Sequence, residues 1–147
     1  MEFLNSLGDT GFVLVLFSAA VGSAFGTMAA GMGALGAWKK CYLQNKTAPF
    51  ILVTFVGAPL SQTIYGMILM NALIAAPATV SGVVKLFVGL GGGIAMGLSA
   101  WLQGRAGAMA SDALAETGKG FGNYMMVLGI IETVALFVMV FLMTGLK

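Results

Sequence analysis

The sequence predicts an all-α membrane protein with four transmembrane helices, and three observations predict it. The chain of 147 residues is 59% hydrophobic and 8% charged, with a mean hydropathy of +1.00. A soluble domain carries about 25% charged residues, and a core of this size could not be covered without them. Residues 10–38, 47–84 and 86–104 carry no charge, and each run is long enough for one or two spans of about 20 residues. Lipid offers no partner for open backbone groups, so spans must be helices or a closed barrel. No alternating pattern of about ten residues marks barrel strands.

The first helix is expected over roughly residues 10–40. Before Gly11 there are Glu2 and Asp9 but no Lys or Arg, and no small-residue cleavage site follows a short apolar run. The first apolar segment is therefore expected to stay as a membrane helix rather than serve as a signal peptide. Lys39, Lys40 and Lys46 mark the first turn, and the second helix follows over 48–74. Asn71, Pro77 and Ser81 bracket the second turn around Ala75 and Ala78, and the third helix is expected over 79–113. Asp112, Glu116, Thr117, Gly118 and Lys119 mark the third turn, and the fourth helix runs over 119–146. Positive residues collect at the first turn and, as Arg105 and Lys119, around the third; the second turn has none until Lys85. By the positive-inside rule the first and third turns are cytoplasmic, and both termini lie on the non-cytoplasmic side of a cell membrane. Lys85 and Lys147 are exceptions that can snorkel.

The chain also reads as a duplication, with a first hairpin over 1–74 and a second over 75–147. A shift of 71 residues places Ala24 on Ala95, Gly26 on Gly97, Ala29 on Ala100, Gly33 on Gly104, Gly36 on Gly107 and Ala37 on Ala108. A shift of 70 places Gln62 on Glu132 and Thr63 on Thr133. Each hairpin starts on the same side, so the repeat is parallel. Glycines crowd the first and third helices, while bulky Phe, Leu, Ile and Met fill the second and fourth. Small residues let helix backbones approach closely. Gly33, Gly36, Gly104 and Gly107 are therefore expected where small-faced helices touch. Two arrangements fit: an inner circle of first and third helices in a multi-subunit ring, or Gly-mediated pairing inside one four-helix bundle.

Composition narrows the chemistry. The chain has no His and a single cysteine, Cys41, so an internal disulfide is impossible and the His and Cys ligands that transition-metal sites favour are missing. The net charge of +2 comes from residues that form no nucleic-acid surface.

Glu132 is the only charged residue between Lys119 and Lys147, within Ile-Ile-Glu-Thr-Val-Ala-Leu-Phe. A carboxylate at mid-membrane costs at least ~2.5–3.5 kcal/mol, and chains that keep one generally use it for ions, protons or a ligand. The second helix offers Ala58-Pro59-Leu60-Ser61-Gln62-Thr63-Ile64-Tyr65. Spacings of three and four put Ser61, Gln62 and Tyr65 on one face. Pro59 lacks an amide hydrogen and frees a carbonyl over Phe55–Ala58. Gln103 lies about 12 residues before the third turn, Glu132 about 16 after it, and Gln62 about 17 after the first, depths that agree to about one helical turn. Carboxylate, amide, hydroxyl and carbonyl oxygens are hard ligands for a non-transition cation. One carboxylate balances one monovalent charge, so Na⁺ fits better than Ca²⁺ or Mg²⁺. The bland alternative makes Gln62 and Gln103 interhelical hydrogen-bond glue, worth about 0.6 kcal/mol each.

With these residues in place, the chain resembles the rotor-ring (proteolipid) subunit of V-type ATPases in its bacterial sodium- or proton-translocating form. The resemblance spans the whole chain: Gly-rich first and third helices, Pro59-x-Ser61-Gln62-x-x-Tyr65-Gly66, Leu102-Gln103-Gly104 and Glu132-Thr133. It implies a homo-oligomeric ring in lipid and an ion held by Glu132, Ser61, Gln62, Gln103 and the Ala58 carbonyl. It implies that Tyr65 hydrogen-bonds the glutamate. Ser61 stands where the sodium-binding pattern has threonine. The implied partners are a static subunit with a positive side chain and central stalk subunits at the cytoplasmic turns. No phosphate-binding loop is present, so the chain would be a non-catalytic subunit without a nucleotide site or organic cofactor. Competing readings are a small proton-coupled secondary transporter, a non-transporting scaffold and an F-type-like proton ring subunit.

Overall fold

The structure, a computed structural model, describes residues 2–146. α1 (Glu2–Leu43) is one continuous helix. The second span is composite: a 3₁₀ turn at Phe50–Leu52, α2 (Val53–Gly57), a second 3₁₀ turn at Ala58–Leu60, and α3 (Ser61–Ala75). α4 (Gly82–Thr117) and α5 (Phe121–Thr144) complete the chain, and no strand occurs among the described residues. Four helices, counting Phe50–Ala75 as one, are long and apolar enough to cross a membrane. The all-α, four-span expectation holds.

α1 and α4 run a few residues past their expected ends at 40 and 113, to Leu43 and Thr117, because charged residues do not stop them, whereas the second span, α4 and α5 each begin two or three residues later than expected. Lys40 on α1 pairs with the Glu116 carboxylate on α4 and lies 4.0 Å from Asp112. α4 ends where Gly118 adopts a left-handed backbone (φ 66°) and donates to the Leu114 carbonyl at 2.8 Å, the usual glycine stop. The Lys40–Glu116 pair sets the first and third turns at the same end. Trp38 Nε1 pins the first turn by donating to the Pro49 carbonyl at 2.8 Å. At the other end Lys85 Nζ donates to the Ala76 carbonyl at 3.2 Å. The lone lysine of the second turn thus caps the preceding span, a local use that accounts for a positive charge there. Lys147 lies outside the described residues, as do the side chains of Glu2 and Asp9.

The most extensive interface joins α1 and α4, which run parallel. A Cβ at Gly22 would land on the Gly97 backbone, one at Gly104 on Gly26, and one at Gly33 on Ala108. Only glycine allows backbones this close. Gly107 packs against the Phe55 carbonyl, 3.1 Å from where a Cβ would sit. Gly36 is exposed, and a Cβ there would meet no other part of the chain within 4 Å. So Gly33, Gly104 and Gly107 take part in close contacts inside one molecule, and Gly36 does not.

Two apolar clusters fill the interior. One joins Val15, Ala19, Leu69, Leu73, Met96, Ala135 and Met139 towards the second turn. The other joins Ala34, Ala37, Leu52, Phe55, Ala110, Leu114 and Leu128 towards the first and third turns, where Phe55 also meets the rings of Phe121 at 5.6 Å and Tyr124 at 6.3 Å. On every span the segment between these clusters carries polar side chains: Ser23 and Thr27, then Ser61, Gln62 and Tyr65, then Ser99 and Gln103, then Glu132. The fold is a polar layer between two greasy ones.

Candidate ion-binding site

Pro59 begins the geometry of this layer. It cannot donate to the Phe55 carbonyl, and the span tightens into a 3₁₀ turn at Ala58–Leu60, as a missing helical bond permits. α3 then starts at Ser61. Ser61 Oγ shares its single proton between the Ala58 carbonyl at 3.0 Å and Gln62 Oε1 at 3.1 Å. The predicted hydroxyl, carbonyl and amide are therefore joined in one turn.

Gln62 and Gln103 are both fully buried. Gln62 Nε2 donates to Gln103 Oε1 at 2.9 Å, linking the second span to α4. Gln103 Nε2 donates to the Leu128 carbonyl at 3.0 Å and to Glu132 Oε2 at 3.2 Å, linking α4 to α5. Tyr65 Oη donates to Glu132 Oε1 at 2.5 Å. Every residue singled out from the sequence thus enters one continuous network: Ala58, Ser61, Gln62, Tyr65, Gln103 and Glu132. Each carboxylate oxygen accepts one hydrogen bond, and bonds to an ionised acceptor are about twice as strong as neutral ones. No ion pair with Glu132 occurs among the described residues. Arg105, two residues beyond Gln103, lies on the exposed side of α4 with its guanidinium 5.8 Å from the Trp101 ring.

The carboxyl group sits at an edge. Glu132 is half-buried, and Ile130 and Val134, two residues to either side, are exposed at 64% and 55%. Lipid against these side chains would account for their exposure. A charged Glu132 beside them would be costly. A carboxyl group that binds and releases a monovalent cation, proton included, at this point can switch the local charge between minus one and zero. The oxygen set of Glu132, Gln62, Gln103, Ser61 and Ala58 can serve a hard monovalent cation; a proton needs only Glu132 and its two donors.

Two partners were not anticipated from sequence. Ser99 Oγ donates to the Ile131 carbonyl at 2.9 Å, fastening α4 to α5 beside the acid. Its spacing of four from Gln103 was the available signal. The Leu128 carbonyl is backbone, which a residue pattern cannot reveal. Thr133 bonds back to the Ile130 carbonyl at 2.6 Å, as expected of a helical threonine.

No curated protein sequence matches the chain. Residues 86–144, most of α4 and all of α5, match the family model of the ATP synthase C subunit. The matched segment carries both Gln103 and Glu132. With four helices able to span a membrane, this match supports a multi-pass membrane protein that serves as an ion-translocating rotor-ring subunit of a rotary ATPase.

Proposed function

We propose that this chain is the rotor-ring subunit of a V-type ATPase in a bacterial cell membrane, and that it carries Na⁺, or H⁺, on Glu132. The observation that carries the proposal is the joining of the single mid-span carboxylate to Gln103, Tyr65, Gln62 and Ser61 in one hydrogen-bonded layer. A mere helix clamp would need one partner for the acid. Two buried amides and a hydroxyl beside it supply the further oxygens that a cation requires. The pairing of 1–74 with 75–147 as two hairpins sharing one acid distinguishes this chain from a single-hairpin F-type subunit.

In this reading copies of the chain close into a ring, with α1 and α4 inward and the second span and α5 outward. Glu132, loaded, is neutral and can pass along the lipid. At a static subunit a positive side chain favours the empty carboxylate, and the ion leaves. Loading and release take place on opposite sides of that charge, and ATP hydrolysis belongs to a separate soluble sector. The first and third turns face the cytoplasm and the stalk.

The test is labelling by a hydrophobic carbodiimide. Glu132 is expected to react, and Glu116 and Asp112, at the charged end, are not. Millimolar NaCl is expected to slow the reaction at fixed pH while KCl does not. Equal rates in both salts would remove the sodium reading and keep the proton one. Failure of Glu132 to react at any pH would remove both.

A further inference from the structure

The polar layer has a member on α1 that the ion reading does not use. Ser23 is 2% exposed, and neither its Oγ nor Thr27 Oγ1 has a hydrogen-bond partner. The two are four residues apart and share a helix face. Buried hydroxyls are nearly always paired, so two orphans side by side call for a physical reason.

Their level in the fold supplies one. α1 packs antiparallel to the second span: a Cβ at Gly26 would lie 2.8 Å from Pro59 Cβ, and a Cβ at Gly66 would lie 2.7 Å from Ala19 Cβ. In both contacts the residue numbers sum to 85. The same register sets Ser23 opposite Gln62 and Thr27 opposite Ala58. Both residues lie between the two apolar clusters, in the layer that contains Glu132. Gln62, fully buried, has two N–H donors. One goes to Gln103 Oε1, and the other needs an acceptor on a side away from Gln103.

We propose that Ser23 and Thr27 are positioning residues of the ion site: Ser23 accepts from Gln62 Nε2 through one water, and Thr27 backs the Ala58 turn. The Leu128 carbonyl, an acceptor only, fixes Gln103 and through it the end of the Gln62 amide that is nitrogen; Ser23 then takes up the second N–H of that nitrogen and holds the amide in place. With Nε2 held towards α1 and Gln103, the Gln62 oxygen stays with Ser61 and the Ala58 carbonyl, where a cation's oxygen ligands gather. The first span, otherwise apolar at this depth, steadies a ligand without touching the ion. This rests on the ion-binding reading for its functional consequence, but the pairing itself does not.

The chain has three glutamines, Gln44, Gln62 and Gln103, so side-chain amide signals of protein labelled with ¹⁵N-glutamine are few enough to assign by solid-state NMR. Ser23→Ala is expected to move the Gln62 signal and leave Gln44 in place. It is also expected to raise the NaCl concentration that half-protects Glu132 from carbodiimide by about fivefold, equivalent to about 1 kcal/mol. Ser23→Thr, which restores the hydroxyl, is expected to reverse both changes. Thr27→Val keeps the volume, removes the hydroxyl and is expected to weaken protection by a similar factor; it serves if Ser23→Ala fails to assemble. An unmoved Gln62 signal in Ser23→Ala, or unchanged protection in Thr27→Val while wild type is protected, overturns the proposal. A moved Gln62 signal in protein whose wild-type Glu132 shows no Na⁺ protection keeps the pairing and removes the sodium reading instead.

Discussion

Gln103 is the joint of the polar layer. Its nitrogen serves Leu128 and Glu132 on α5, and its oxygen receives Gln62 from the second span. Gln103→Leu keeps much of the volume but strands these partners in an apolar interior, at a cost of about 1–3 kcal/mol. A lower melting temperature of the purified protein and loss of Na⁺ protection are expected together, read by circular dichroism and carbodiimide labelling. Gln62→Ala is expected to weaken Na⁺ binding less than Glu132→Gln, which removes the only formal charge. Gln62→Glu places a second acid in the network, so Na⁺ binding is expected to fall and to become steeply pH-dependent, because a carboxyl group competes for protons where an amide did not. Unchanged Na⁺ protection in Gln62→Ala would leave Gln62 as packing glue. At this scale the candidate residues were legible, because a carboxylate and two amides are conspicuous among apolar neighbours. Ser23, Thr27 and Ser99 were not, since a hydroxyl in a helix can satisfy itself on its own backbone and its sequence does not say which way it turns.

Among the elements, the glycine pattern of α1 and α4 translates into contact at particular backbones. Gly104 rests on Gly26 of the same chain. Gly104→Leu is therefore expected to break the α1–α4 pairing within each molecule while leaving insertion intact, since hydropathy does not fall. Gly36→Leu is the contrasting variant. A Cβ at Gly36 would meet no other part of the chain within 4 Å, so the single molecule should tolerate leucine, and any loss of assembly reports a contact with a neighbouring copy. Native electrophoresis, with protease resistance of the dissociated chain, separates the two outcomes. Helix number and order were readable from charge-free runs and turn residues. Helix ends were not, because Lys40 and Glu116 continue their helices and pair across them rather than stopping them. The break in the second span was readable at Pro59, whereas the earlier 3₁₀ turn at Phe50–Leu52 carried no comparable mark.

At the scale of the whole molecule, the candidate ligands and the Tyr65 that supports them have one further property: Ala58, Ser61, Gln62, Tyr65, Gln103 and Glu132 all come from a single polypeptide and join in one network. On the proposed reading each copy brings its own full ligand set, and its occupancy is expected to be independent of that of its neighbours. Equilibrium binding of ²²Na⁺ to purified assemblies is expected to follow a simple hyperbola with a Hill coefficient of about one, whatever the number of copies. In assemblies mixed with Glu132→Gln chains, capacity should fall in direct proportion to the altered share while the remaining sites keep their affinity. A steeper isotherm, or an affinity that drifts with the mixing ratio, would mean that a neighbour lends something to the site. Statistical independence of this kind means that at half-saturation a freely equilibrating assembly holds a random pattern of loaded and empty positions. Any ordered sequence of filling around it must therefore be imposed from outside, one position at a time.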